Sequence, residues 1–167
     1  MSTHTSAGVA ALVARLGGSL RGKGATMAAA ESCTGGLIAA ACTSLAGSSD
    51  WFERGFVTYS NAAKIELLSV PDELIARHGA VSEEVARAMA EGALAHSRAR
   101  FAVAATGIAG PGGGTLLKPV GTVWIAVAST GSAAHASLLR LHGERDSIRQ
   151  ASVIEALSLL AEHVDRS

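Results

Sequence analysis

Apolar and polar positions follow two periods along the chain, and these divide it into elements. Val9 to Leu20, "VAALVARLGGSL", has apolar residues at helical spacing and ends in "RGKG". It reads as a helix closed by Gly22 or Gly24. Ala25 to Ala30 is short and apolar, a buried strand by length and position. Thr34 to Leu45 reads as a helix and "AGSSD", residues 46 to 50, as a turn. Arg54 to Tyr59, "RGFVTY", predicts a second strand, and the "SN" behind it is a cap signal for a short helix over Ala62 to Leu68. Pro71 opens another helix that Gly79 stops. "VSEEVARAMAEGALAHS" sets Ser82 as N-cap before an acidic first turn, which predicts a further helix. Phe101 to Ala105 is a strand, and "TGIAGPGGG" after it is a long glycine loop. Val120 to Ser129 and Ala134 to Leu141 read as two strands of a hairpin joined through "TGS". "GERDSIRQASVIEALSLLAEHV" is the closing helix.

Strands alternating with helices, followed by a hairpin, predict one α/β domain over residues 1–167. The expected architecture is an α/β/α sandwich with a mixed, mainly parallel sheet. No repeat, low-complexity tract or linker interrupts it. Composition narrows the core: hydrophobic residues make up 49% of the chain but aromatics only 4%, so the core must be small and aliphatic. Charge removes one function class. Lys plus Arg and Asp plus Glu number 14 each, which argues against nucleic-acid binding driven by bulk charge. The two cysteines, Cys33 and Cys42, form no CxxC pair, so a reduced, cytoplasmic protein is expected. The polar start, Met1 to Gly8, lacks the order of a signal peptide, and no apolar run reaches membrane-spanning length.

The candidate chemistry begins in "AAAESCTGG", residues 28 to 36. Here a strand gives way to a helix through Glu31, Ser32, Cys33, Thr34, Gly35 and Gly36. Glycines let backbone approach a ligand, and free N–H groups at a helix start favour an anion or an oxyanion. Ser32 is either a nucleophile presented at this turn or, with Thr34, a helix cap. Cys33 is either a second nucleophile or a small buried side chain. A serine needs activation. The six histidines are scattered and none has metal-ligand spacing. Lys64, in "TYSNAAK", follows the second strand. Parallel pairing of the first two strands would gather Ser32, Tyr59 and Lys64 at one sheet edge. A lysine desolvated there acts as a base; a solvated one is merely surface. Tyr59 relays a proton or packs at a strand end. The glycine loop cradles a phosphate or is a flexible turn. Arg145 and Arg149, one turn apart on the last helix, hold a phosphate or pair with Glu144 and Asp146.

Six strings in order, "AESCTGG", "AGSSDWFERGFVTYSNAAK", "HGAVSEE", "TGIAGPGGGT", "KPVGTVWIAVA" and "GERDSIR", resemble the C-terminal domain of the CinA competence/damage-inducible family. The resemblance covers about Ala10 to Ala161. It implies deamidation of nicotinamide mononucleotide (NMN) to nicotinic acid mononucleotide and ammonia, without metal or organic cofactor. Full-length members carry an N-terminal domain linked to pyrophosphatase activity on nucleotide sugars such as ADP-ribose. The 167 residues leave no room for it, so that activity is expected to be missing. Leu116 and Leu117 depart from the proline or acid that family members tend to have. Combined with the residue chemistry, the resemblance implies that Ser32 attacks the carboxamide and Lys64 takes its proton. Tyr59 then assists proton transfer to ammonia, and the amides around Thr34, Gly35 and Gly36 hold the oxyanion. Thr106, Gly107, Gly110, Gly112, Arg145 and Arg149 bind phosphate and ribose. Ser48 and Ser49 in "AGSSD" are rival nucleophiles. Ser49 precedes the second strand while Lys64 follows it, which favours Ser32 within one subunit. The competing function is a nucleotide-binding regulatory module without turnover. The partners expected are the NMN substrate and a homodimer or higher homo-oligomer built on hairpin strands or alanine-rich helices, with neither nucleic acid nor membrane.

Overall fold

The apolar strands assemble into one five-stranded sheet. A computed structural model describes residues 3–167. Its helices are α1 (Thr3–Gly22), α2 (Leu37–Thr43), α3 (Asn61–Leu68), α4 (Asp72–His78), α5 (Glu83–Ala95) and α6 (Arg145–Arg166). Its strands are β1 (Met27–Glu31), β2 (Phe52–Val57), β3 (Phe101–Gly107), β4 (Thr122–Ser129) and β5 (His135–Arg140). The strand order is β2-β1-β3-β4-β5. β1 pairs in parallel with both β2 and β3, while β4 is antiparallel to β3 and β5 to β4. The sheet is therefore mixed, and four of its five strands run the same way.

The two faces of the sheet carry different side chains because residues alternate along each strand. One face presents Met27, Phe101, Val103, Val123, Ile125 and Val127 to α1, α2 and α6. The other presents Ala28, Ala30, Ala102, Ala104, Ala126 and Ala128. This alanine face lets α5 come close, and its Val85, Ala86, Met89, Ala90 and Ala93 fill the space. α3 then packs on α5 at Gly92, where a Cβ would stand 2.2 Å from the Leu68 carbonyl oxygen. On the opposite face the indole of fully buried Trp51 lies against Gly17 of α1, with room for no side chain there.

Several boundaries differ from the sequence reading, three of them with a clear physical consequence. α1 starts at Thr3, inside the polar start, and residues 1 and 2 lie outside the described structure. α2 starts at Leu37 rather than Thr34, because Gly35 and Gly36 take left-handed backbone (φ 58° and 97°) that a right-handed helix excludes. β2 covers Phe52–Val57 rather than Arg54 to Tyr59: Phe52 pairs with Met27, and the chain leaves the sheet after the Thr58 amide reaches Glu31. The Ser60 and Ser82 caps form as expected, accepting from the Ala63 and Val85 amides.

Candidate active site

Parallel pairing brings the C-terminal ends of β2, β1 and β3 to one edge, and the candidate residues follow those ends. Ser32 leaves β1, and its amide donates to Ala105 of β3, so the serine is tied to the neighbouring strand. Tyr59 follows β2, and α3 turns back behind it. Thr106 and Gly107 end β3. A cavity of about 190 Å³ opens there, lined by Ser32, Cys33, Tyr59, Lys64, Thr106 and Arg145 among others.

Lys64 lies at the centre of the arrangement. It is 1% exposed, so the solvated-lysine reading does not hold. Its Nζ lies 2.9 Å from the Thr58 carbonyl oxygen, 3.3 Å from that of Tyr59 and 3.2 Å from Ser32 Oγ. None of these partners is a carboxylate. Burial accordingly pulls the Lys64 pKa below the usual lysine value, with the nearby Cys33 thiol acting weakly in the opposite direction. Carbonyl oxygens only accept, so two N–H bonds of Lys64 are fixed on Thr58 and Tyr59. In the neutral amine the remaining lone pair is left facing the Ser32 hydroxyl, within reach of proton transfer.

The β1–α2 turn is held from two sides. The Glu31 carboxylate is fully buried and accepts from the amides of Gly36 (3.0 Å), Ile38 (3.0 Å) and Ala39 (2.9 Å). Glu31, not Ser32 or Thr34, therefore caps α2; the Thr34 hydroxyl is buried without a partner among the described residues. From α6, Arg149 donates to the carbonyls of Cys33 and Thr34, both at 3.1 Å. Two expectations change as a result. Arg149 is engaged by backbone carbonyls instead of facing the cavity. The amides of Gly35 and Gly36 are occupied as well, by Ser32 O and Glu31, and Gly36 is not available to an oxyanion. Among the described residues the amides of Cys33 and Thr34 donate to no backbone or side-chain oxygen, and Cys33, with its thiol, lies at the cavity wall. That thiol is buried, and desolvation pushes its pKa up to about 11, which makes it a poor nucleophile.

Arg145 closes the mouth of the cavity. Its guanidinium donates to the Gly110 carbonyl (2.8 Å) and to the Tyr59 hydroxyl (3.2 Å), linking the glycine loop to the end of β2. Tyr59 is 62% exposed and does not pack in the core. Thr106 is buried and donates to Ala80, which fixes the α4–α5 loop against the site. Gly112 is exposed and lines no part of the cavity, and Leu116 and Leu117 project from the same loop into solvent. Ser49 lies in the 3-10 turn Ser48–Asp50 that precedes β2, exposed and at the opposite end of that strand from Lys64. Asn61, Ala80 and Val81 also line the cavity. Asn61 had a sequence signal in the "SN" cap, and the other two lie in the "HGAVSEE" string, where no side-chain chemistry marks them. Among the described residues no three His, Cys, Asp or Glu side chains come together to hold a metal. No helix among them is long and apolar enough to cross a membrane.

These features define a mixed α/β domain with a serine–lysine pair at the ends of its parallel strands. The chain belongs to the CinA C-terminal domain family, whose sequence profile matches residues 9–164. It is 50% identical over 146 residues to the nicotinamide-nucleotide amidohydrolase PncC of Escherichia coli (strain K12), covering 87% of this chain and 88% of that one. It is 52% identical over 150 residues to a putative competence-damage inducible protein of Symbiobacterium thermophilum, covering 85% of this chain but 35% of that one. The chain thus spans about a third of that longer relative. The crystal structure of competence/damage inducible protein CihA from Agrobacterium tumefaciens superposes with a TM-score of 0.91 at 45% identity, covering 95% of this chain and 96% of that one.

Proposed function

We propose that this chain is a nicotinamide-nucleotide amidohydrolase that converts NMN to nicotinic acid mononucleotide and ammonia, with Ser32 as nucleophile and Lys64 as base. The observation that carries the reading is the buried Lys64 amine fixed on two carbonyls with its third direction on Ser32 Oγ. The name of the Escherichia coli relative supplies the substrate class.

In the first half-reaction Lys64 takes the Ser32 hydroxyl proton as Oγ bonds to the carboxamide carbon. The oxyanion is held by the Cys33 and Thr34 amides. Collapse breaks the C–N bond; the amide nitrogen takes the proton from Lys64 with help from Tyr59 and leaves as ammonia. In the second half-reaction Lys64 takes a proton from water, hydroxide attacks the acyl carbon, and Ser32 leaves with that proton. Arg145 and the glycine loop hold the phosphate and ribose at the mouth. Arg145 has N–H groups beyond the two engaged with Gly110 and Tyr59.

The test is ammonia release from NMN by the purified chain. Ser32→Ala and Lys64→Met are each expected to lose roughly 10²–10⁴-fold in kcat, and Ser49→Ala to stay near wild type. An inactive Ser49→Ala beside an active Ser32→Ala would sink the assignment. Wild type that binds NMN and leaves it intact would make the chain a nucleotide-binding regulatory module. The proposed homodimer or higher oligomer is checked by light scattering of the same sample.

A further inference from the structure

We infer that Glu31 is the positioning residue of this site: its buried carboxylate fixes the β1–α2 turn so that Ser32 Oγ stays on the Lys64 amine. The inference rests on the serine–lysine reading above and assigns a role to a group that the reaction itself does not use.

Glu31 is the last residue of β1 and is 0% exposed. Its side chain lies inside the turn, and residues 32–36 wrap around it. Every partner of the carboxylate is a backbone amide of the α2 start: Gly36 and Ile38 on one oxygen, Ala39 on the other. These are the amides that an α-helix leaves unpaired at its N-terminus. A carboxylate there also opposes the positive end of the helix dipole. α2 therefore has its anion built in, and its start is closed to an anion from outside. The amides of this turn left without an acceptor among the described residues are those of Cys33, which lines the cavity, and Thr34.

The chain between Glu31 and α2 has little freedom. The Ser32 amide is bound to Ala105, Gly35 is bound back to Ser32, and Arg149 holds the Cys33 and Thr34 carbonyls from outside. Glu31 is the inner half of that clamp. Removing its acceptors would free three amides and the left-handed Gly35–Gly36 pair, and Ser32 would drift on its turn. Glu31 acts through geometry: its carboxylate accepts from the backbone amides of the α2 start and bonds neither Ser32 Oγ nor Lys64 Nζ. Its loss should therefore slow the reaction without moving the pH at which Lys64 ionises.

Glu31→Gln is the first variant. Its shape is kept, but one amide now faces an NH₂ group in place of an oxygen. The experiment compares wild type and Glu31→Gln in two assays over a range of pH. One is labelling of Ser32 by a fluorophosphonate; the other is ammonia release from NMN. Labelling and kcat are both expected to fall at least tenfold in Glu31→Gln, with KM within about twofold and the pH midpoint unchanged. Labelling at the wild-type rate, or an equal fall accompanied by a shifted midpoint, overturns the inference. If Glu31→Gln does not fold, Ala39→Pro replaces it. Proline is tolerated in the first helical turn and deletes one of the three amide donors. Labelling should then slow by a few-fold, and an unchanged rate overturns the inference. Wild type labelled at Ser32 that releases no ammonia from NMN refutes the proposed substrate, and the labelling comparison still decides the role of Glu31. Wild type that is not labelled overturns both.

Discussion

A lysine amine without a carboxylate partner is an unusual thing to bury, and in the proposed reaction the burial is what lets Lys64 serve as the base. The ordinary lysine value is 10.5, and desolvation holds Lys64 below it. The rate of ammonia release should therefore rise with pH as Lys64 loses its proton, with a midpoint below 10.5. Lys64→Arg should not restore the rate, because a guanidinium stays charged. The same displacement appears in stability. The unfolded chain binds a proton at Lys64 across the interval between the folded and unfolded values, so this lysine destabilises most below that interval. The stability of Lys64→Met relative to wild type, read from urea unfolding, should accordingly fall as pH rises toward 10.5. The neighbouring thiol provides a contrast. With its pKa at about 11, Cys33 is almost wholly protonated at neutral pH. Cys33→Ala is expected to retain turnover within about tenfold, whereas Ser32→Ala loses it. Mass spectrometry of a trapped acyl-enzyme would identify the serine directly.

Among the elements, α3 carries Lys64, and α5 decides where α3 sits. The alanine face of the sheet draws α5 inward, and Gly92 lets Leu68 of α3 rest on it. Gly92→Ala places a methyl group against the Leu68 backbone, and overpacking of this kind costs about 1–3 kcal/mol. A lower Tm is expected, together with a lower kcat, since Lys64 is one helical turn before Leu68. A Tm change without a kcat change would show that α3 gives way without moving its lysine. The helix itself was legible beforehand: Ser82, two acids and an apolar stripe predict α5. The start of α2 was not. Ser32 and Thr34 are good caps by type, yet the cap is a carboxylate five to eight residues upstream of its amides. Cap preferences describe short-range bonds and have no term for a side chain reaching across a turn.

At the scale of the whole molecule, α6 closes one face and docks its last turns on the sheet through His163, which meets Ser129 and stands beside His135, Phe101 and Arg166. Burial first, then the charges of His135 and Arg166, lower the His163 pKa below 6.5. The unfolded chain therefore takes up this proton first as the solution is acidified, and stability should fall as pH drops below about 6.5. His163→Gln should flatten that part of the pH–stability curve in thermal melts. The same helix carries Arg145 and Arg149 at its other end, and the two illustrate the boundary between sequence and fold. By itself the sequence determined the order of helices and strands, the small aliphatic core, and the strand ends at which serine, tyrosine, lysine and glycine loop occur. Those follow from local periodicity, caps and turn residues, each read within a few neighbouring positions. Tertiary structure alone decided that Lys64 is desolvated and aimed at a serine 32 residues away. It also decided that Arg149 holds carbonyls 115 and 116 residues before it, while Arg145, one turn earlier, faces the cavity. Burial and hydrogen-bond partnership between distant segments depend on strand order and helix packing, and no window along the chain contains both partners.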